Sequence, residues 1–329
     1  MLSELIINHS GSNIAVIYVP KKQGGVRNVT LSLAKGLRHN GYQVEEVNNV
    51  LNFVILRFKY KHALAISSLA CGFISFIYRD SIFIIHGFPT KDTHSFIKEK
   101  TLIIMPWIVS KFGVKLVAVS YLTQSIYKRI YGVKIDYVVH NGISNDFIEK
   151  TKNEIIFKKN KTLLYVGRLI PGKGVENILS AFLSSKLPFM GYDLKILGDG
   201  PLMKKLKHTA RGINGIYFLG EVSEKDKVEV FFRSEIFISL NDFEPMGVVF
   251  AEAIASKCKI VAPHCGGHRE FIPVEYPLFL CDSSSKMDIV DALEKAALSK
   301  KNDQLIDVSI FSYDMFIAKK YIHISKDNK

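Results

Sequence analysis

The sequence predicts an α/β protein built from two doubly wound domains in tandem, each with a parallel sheet. Three observations carry that expectation. Short continuous apolar runs, the pattern of parallel strands buried on both faces, recur along the chain. Stretches with helical spacing alternate with them. A lysine-rich hydrophilic stretch, Glu149 to Lys161, divides the series in two and reads as the linker. The length of 329 residues suits two domains of roughly 100 to 200 residues each.

The first series opens with the apolar run Ile14 to Val19, stopped by Pro20. After the Gly24-Gly25 pair, Val29, Leu33 and Leu37 recur every four residues and Gly41 follows as a stop, giving strand, glycine turn, amphipathic helix. Ser81 to Ile85 leads into His86-Gly87-Phe88-Pro89, Lys115 to Val119 into Ser120 and a helix reaching Ile130, and Tyr137 to Val139 into His140-Asn141-Gly142. Only about 40 residues separate Gly41 from Ser81, which makes the first domain short. Within that interval the 16 residues Ala63 to Tyr78 are uncharged and largely apolar; this is below the roughly 20 that cross a bilayer, and a buried helix is expected, with a membrane-dipping helix as the alternative. The second series has strands at Thr162 to Val166, Asp193 to Leu197, Ile216 to Leu219, Ile236 to Leu240 and Lys259 to Ala262, and Val175, Ile178, Leu179 and Phe182 mark one helix face. Two Rossmann-like domains with parallel sheets facing an interdomain cleft follow, and such sheets bind ligands beyond the carboxyl ends of their strands.

Composition narrows the class. Hydrophobic residues make up 48% and charged residues 23% of the chain, mean hydropathy is +0.14, and prolines number 10, which excludes disordered and collagen-like chains. The four cysteines form no C-x-x-C pair, so a zinc ribbon or thioredoxin-like site has no support and a reduced, cytosolic chain is expected. No N-terminal segment has the order of a signal peptide. The net charge of +13 is uneven: residues 1–150 hold 18 Lys and Arg against 9 Asp and Glu, while the rest hold 26 against 22. A basic first half suits nucleic acid, an anionic leaflet or a phosphorylated substrate, and equally a solubilising surface.

Two constellations carry chemistry. Gly167-Arg168-Leu169-Ile170-Pro171-Gly172-Lys173-Gly174 places a guanidinium and an ammonium in a glycine-rich turn before a helix, the combination that holds a pyrophosphate. Gly174 stands where a Walker loop needs Ser or Thr, and an ordinary solvated turn remains the alternative. Asn241 to Glu252 lies between another strand and helix, with Glu244 and Glu252 eight residues apart. Carboxylates accept hydrogen bonds from sugar and ribose hydroxyls, and N–H groups near Met246, Gly247 and Val248 would face a phosphate. The alternative is a helix-end charge at Glu244 and a solvated helix residue at Glu252. Gly198-Asp199-Gly200-Pro201 lacks the third glycine of a dinucleotide fingerprint and reads as a turn. His86, at a strand end, is either a proton carrier or a structural histidine. The chain has no D-x-D, no H-E-x-x-H and no G-x-S-x-G.

In order, these motifs resemble the retaining glycosyltransferases of GT-B fold known as group 1 or family 4. The likeness runs through Gly24-Gly25, His86-Gly87-Phe88, Ala118-Val119-Ser120, Asn141-Gly142-Ile143, Val166-Gly167-Arg168-Leu169, Lys173-Gly174, Gly198-Asp199-Gly200-Pro201 and the Glu244 to Glu252 pair. It departs at Pro245-Met246-Gly247, where the family often has Gly-Phe-Gly. The resemblance implies a metal-independent hexosyltransferase whose nucleotide-sugar donor is UDP-linked, with GDP-mannose the second choice. Arg168 and Lys173 would hold the pyrophosphate, Glu252 the donor ribose and Glu244 the transferred sugar. His86 would approach the reacting carbon, and Gly24, Gly25, Asn141, Gly167, Met246, Gly247 and Val248 would line the donor. Domain closure would complete the site and exclude water.

The implied division is residues 1–155 for an acceptor-side domain, 156–310 for the donor domain and 311–329 for a terminal helix that crosses back. The implied acceptor is a glycan or a polyprenyl-diphosphate-linked oligosaccharide in bacterial surface polysaccharide assembly. The expected location is the cytoplasm, peripherally on the inner membrane's cytoplasmic face, with no nucleic-acid partner. Arg57, Lys59, Lys61, Lys98, Lys100, Lys111 and Lys115 would meet anionic lipid, with Leu102 to Val109, including Trp107, at the interface. The competing readings are a nucleotide-sugar epimerase, a phosphorylase, or an inactive scaffold of the same fold.

Overall fold

The computed structural model describes residues 13–21, 24–60, 62–68, 77–78, 80–89, 96–152, 159–300 and 306–327, without the side chains of 96–98. The chain divides into two compact units, Met1–Ser144 with Ser309–Lys329, and Asn145–Val308.

The first unit contains β1 (Ile14–Tyr18), α1 (Gly25–His39), β2 (Gln43–Val47), α2 (Val50–Lys59), β3 (Leu64–Ser67), β4 (Asp80–Ile85), α3 (Phe96–Ser110), β5 (Lys115–Ala118), α4 (Tyr121–Tyr131) and β6 (Tyr137–Val138). The strands form one parallel sheet in the order β2-β1-β3-β4-β5-β6. Side-chain caps fix two helix starts: Asn49 accepts from the Asn52 N–H at 2.7 Å, and Ser120 from the Thr123 N–H at 3.0 Å. Val16 of β1, Phe53 of α2 and Ala65 of β3 share one core cluster, while Phe83 and Ile85 of β4 pack with Val109 of α3 and Tyr127 of α4. Val16 is in register with Ala65, and Ala65 with Ser81, which has the parity of Phe83 and Ile85. Aligned residues of parallel neighbours point to one side, so α2, α3 and α4 cover the same face of the sheet.

The interval from Gly41 to Ser81 holds β2, α2 and β3 among its described residues. One expectation for this unit is corrected. The run Ala63 to Tyr78 is not a buried helix: its Leu64–Ser67 part is the strand β3, hydrogen-bonded between β1 and β4, and residues 69–76 lie outside the described residues. A continuous apolar run fits a strand buried on both faces as well as it fits a helix, and pairing with two neighbours settles the choice.

The second unit contains α5 (Asn145–Lys152), β7 (Asn160–Val166), α6 (Val175–Ser184), β8 (Asp193–Leu197), α7 (Met203–Thr209), β9 (Ile216–Gly220), α8 (Glu224–Arg233), β10 (Ser234–Ile238), α9 (Val248–Ala255), β11 (Lys259–Pro263), β12 (Leu278–Cys281) and α10 (Lys286–Leu298). Its six-stranded sheet runs β12-β11-β10-β7-β8-β9, with every pairing parallel. The stretch read as a linker therefore begins as helix α5 and ends inside β7: Phe147 and Ile148 are buried, which gives α5 an apolar face despite its lysines. Leu163, Ile178, Leu194, Ile196, Ile236 and Leu293 form the fully buried centre of this unit. Each such side chain stabilises by roughly 1.5–3 kcal/mol relative to exposure.

The chain then returns to the first unit through a π-helical turn, Tyr313–Ile317, and α11 (Ala318–Lys326). Ile143 N–H donates to the Phe311 carbonyl at 3.0 Å, Asn40 Nδ2 to the Asp314 carbonyl at 2.7 Å and Lys115 Nζ to the Ser325 carbonyl at 2.8 Å. A Cβ at Gly142 would lie 2.2 Å from the Phe311 oxygen, so only glycine admits this approach.

Candidate functional site

The strand order of the second unit locates its site. From β7 the chain moves outward through β8 and β9, then returns to β10 on the other side of β7, so the turns after β7 and β10 diverge from a shared crevice. Those two turns carry Arg168 with Lys173, and Glu244.

The β7 turn is held from below. Gly167 N–H donates to the Leu197 carbonyl at 3.0 Å, Leu169 N–H to the Asp199 carbonyl at 2.9 Å, and the buried Tyr165 hydroxyl to the Arg168 carbonyl at 3.1 Å. A Cβ on Gly198 would meet the Gly167 oxygen at 2.0 Å. The glycines after β8 thus serve close backbone packing beneath the cationic turn. Arg168 is exposed, with no side-chain hydrogen bond or ion pair among the described residues. Lys173 Nζ reaches the neighbouring turn and pairs with Glu244 Oε2 at 3.0 Å. Asn241 Nδ2 donates to the same oxygen at 2.7 Å, so Glu244 is oriented by two donors from two elements.

Glu244 lies in the loop and Glu252 inside α9. Gly247 precedes that helix in the left-handed region at φ 80°, with no side-chain cap, so the first N–H groups of α9 are left to solvent or a ligand. Glu252 is 3% exposed, which removes the solvated-residue alternative. Its Oε1 pairs with Lys227 of α8 at 2.7 Å, and Lys227 also reaches Glu224 at 2.9 Å. Burial pushes the Glu252 carboxyl up, against the Lys227 ammonium, which pulls it down. Glu252 Oε2 is buried without a hydrogen-bond partner among the described residues. Beneath the loop, the His268 ring stacks on Phe250 with centroids 4.2 Å apart and planes 14° apart, and burial lowers its pKa to about 4.

The remaining sequence-derived candidates are in the first unit. Gly24 and Gly25 open α1 next to that sheet's own reversal at β1 and β3. His86 follows β4 half-buried, and desolvation pushes its pKa down to about 4, leaving a neutral imidazole at pH 7. Tyr127 of α4 donates to the carbonyl of Gly87 at 3.3 Å and of Leu102 at 2.8 Å, fixing the turn after His86. Asn141 is buried in the turn after β6. The structure thus gathers Gly167, Arg168, Lys173, Glu244, Met246, Gly247, Val248 and Glu252 in the second unit and leaves Gly24, Gly25, His86 and Asn141 in the first. Sequence reasoning missed Lys227 and Asn241. Lys227 follows Glu224 by three residues and reads as a surface pair, whereas only the fold brings it to Glu252. Among the described residues no three His, Cys, Asp or Glu side chains gather as metal ligands.

Two parallel α/β units with a cationic turn and an acidic loop at a strand-order reversal describe a protein of the GT-B glycosyltransferase architecture. HepE of Anabaena, solved with UDP and glucose, superposes with a TM-score of 0.65 at 15% identity, over 96% of this chain and 97% of that one. Residues 146–307 match the family model of the glycosyl transferases group 1, and the second unit is a domain of that family. An uncharacterized glycosyltransferase of Haemophilus influenzae is 26% identical over 155 residues, 46% of this chain and 44% of its own length. A GDP-mannose-dependent alpha-(1-6)-phosphatidylinositol monomannoside mannosyltransferase of Mycobacterium tuberculosis is 25% identical over 149 residues, 42% of this chain and 39% of its own. The chain spans less than half the length of these curated relatives.

Proposed function

We propose that this protein is a retaining, metal-independent hexosyltransferase that uses a nucleoside diphosphate sugar, UDP-linked first and GDP-mannose second. The observation that carries the reading is the pairing of Lys173 with Glu244 across the crevice, with Arg168 exposed beside them. A donor diphosphate competes for Lys173 and takes Arg168 in a bidentate fork. Glu244, still held by Asn241, is then free to accept from sugar hydroxyls. Glu252 takes the donor ribose, and the N–H groups opening α9 after Gly247 face the phosphates. Met246, Val248 and Gly167 line the donor, as do Gly24, Gly25 and Asn141.

In the transfer, the bond between the anomeric carbon and the phosphate oxygen breaks and the electron pair stays on the nucleoside diphosphate. The acceptor oxygen bonds to that carbon, and its proton passes to the departing diphosphate oxygen. The growing negative charge meets Arg168, Lys173 and the uncapped helix start, fixed in advance of the reaction. His86, neutral at pH 7, offers a hydrogen bond to the transferred sugar. UDP in the HepE complex and the GDP-mannose dependence of the mycobacterial relative support a sugar-nucleotide donor.

The acceptor in this reading is a glycan or polyprenyl-diphosphate-linked oligosaccharide in bacterial surface polysaccharide assembly, met at the cytoplasmic face of the membrane. No described helix is long and apolar enough to cross a bilayer. The contact in this reading is peripheral. Trp107 on α3 is 51% exposed with Lys111 Nζ 5.5 Å above its ring, and Phe58 on α2, the same face of the sheet, is 78% exposed beside Arg57 and Lys59. Lys61 and the Lys98 side chain lie outside the described residues. Flotation with anionic vesicles tests the contact; absence of salt-sensitive binding removes it.

Thermal unfolding with millimolar UDP, GDP, ADP, CMP and NAD tests the donor site. A ligand at 100 times its Kd adds about 2.7 kcal/mol, a resolvable rise in Tm. A rise selective for UDP or GDP is expected, and no rise with any of them refutes the assignment.

A further inference from the structure

Glu252 is the single charged residue of α9, whose other side chains are apolar and mostly buried. A lone carboxylate there would be driven toward its protonated form by desolvation. What opposes this is an ion cluster spanning two helices: Lys227 Nζ lies 2.7 Å from Glu252 Oε1 and 2.9 Å from Glu224 Oε1, and 5.6 Å from the centroid of the Phe147 ring of α5. Lys227 could satisfy its charge with Glu224 one helical turn away, in solvent. It keeps that pair and reaches α9 as well, with its own side chain only 16% exposed. Buried ion clusters of this kind are poor stabilisers, because desolvation offsets most of their attraction. Their yield is geometry. Here Oε1 is tied to the ammonium, which fixes the carboxylate rotamer and leaves Oε2 as a buried acceptor with no partner among the described residues.

The geometry points to Lys227 as a positioning residue for nucleoside recognition: it holds the Glu252 carboxyl group in one orientation, so that Oε2 accepts a hydrogen bond from one ribose hydroxyl of the donor. This rests on the assignment of Glu252 to the donor ribose. Removing Lys227 releases that orientation and so lowers hydroxyl recognition while leaving binding through the diphosphate in place.

The test is calorimetric titration of the full chain with UDP and 2′,3′-dideoxy-UDP, and with GDP and its dideoxy counterpart, taking the base that binds more tightly. Wild type is expected to prefer the ribonucleotide by at least about tenfold. Lys227→Met lowers that preference to within about threefold with dideoxynucleotide affinity unchanged, and Lys227→Arg restores it. A general loosening of the domain would weaken both nucleotides alike. Lys227→Gln carries the comparison if circular dichroism shows the Met variant unfolded. If wild type discriminates, Glu252→Gln does not, and Lys227→Met keeps the full ratio, the role of Lys227 is refuted while that of Glu252 stands. If wild type itself fails to discriminate, or Glu252→Gln retains the ratio, the ribose assignment fails and the inference falls with it.

Discussion

His268 makes the stability of the second unit depend on pH in a calculable way. The residue is 0% exposed, flat against Phe250, and neither ring nitrogen has a hydrogen-bond partner among the described residues. Desolvation dominates its titration and lowers the pKa from 6.5 to about 4, with the nearby Pro263 carbonyl and the Glu244 charge opposing in part. A depressed folded-state pKa means that the unfolded chain binds the proton first. Stability is complete above about pH 6.5, falls as the pH drops, and levels off near pH 4. At about 1.4 kcal/mol per pH unit the loss across that window is about 3 kcal/mol. His268→Phe keeps a ring on Phe250 and removes the titrating group, so its unfolding free energy should fall by about 3 kcal/mol less than that of wild type over the same window. Urea unfolding by far-UV circular dichroism measures both proteins. Trp107, the one tryptophan, belongs to the first unit, so its fluorescence separates that unit's transition. Acid-labile carboxylates elsewhere contribute equally to the two proteins. Parallel pH curves for wild type and variant would refute the argument.

Three more expectations concern other parts of the molecule. Glu244→Gln and Arg168→Ala each lower sugar transfer at least roughly tenfold, about 1.4 kcal/mol of barrier, in a donor-consumption assay; unchanged rates for both dismiss the site. Gly142→Ala drives a methyl group against the Phe311 carbonyl and should cost about 1–3 kcal/mol, with earlier protease cleavage in the terminal segment read by mass spectrometry. Lys259, 2% exposed, donates to Glu235 at 3.0 Å and to the carbonyls of Ala296 at 2.9 Å and Ser299 at 2.8 Å. Lys259→Met should therefore lower stability by about 3–5 kcal/mol, and the double variant with Glu235→Gln should recover part of it in thermal melts.

Much of the second unit could be read from its residues because local and tertiary demands agree there. Thr162 to Val166 is a mostly apolar run containing β-branched Thr162 and Val166 and aromatic Tyr165, Gly167 and Gly174 punctuate a turn, and Val175 to Phe182 repeats with helical spacing, so β7 and α6 emerged close to their true bounds. The first unit was harder where that agreement fails. Gln43-Val44-Glu45-Glu46-Val47 is too polar to announce a strand, yet it forms β2, which among the described residues lies at the sheet edge and pairs only with β1. Leu64 to Ser67 was ambiguous for the opposite reason, being apolar without alternation. At the site, the sequence exposed the cations and carboxylates but not their partners. Lys173 meets Glu244 across 71 residues and Lys227 meets Glu252 across 25, and such pairings are set by strand order, which no local pattern encodes.

The return of Ser309–Lys329 to the first unit has a consequence for how the protein is made. Asn145–Val308 is one continuous stretch, whereas the unit around it is assembled from both sides of that insertion. During synthesis the second unit is complete as soon as Val308 leaves the ribosome. Its elder neighbour must wait, with Gly142 and the groups that receive Phe311 and Asp314 unmatched until α11 is translated. A chain arrested after Val308 would therefore carry a mature second unit beside an unfinished first one. Quality-control proteases acting on such nascent chains would cut the amino-terminal half first, although it was the first to be made.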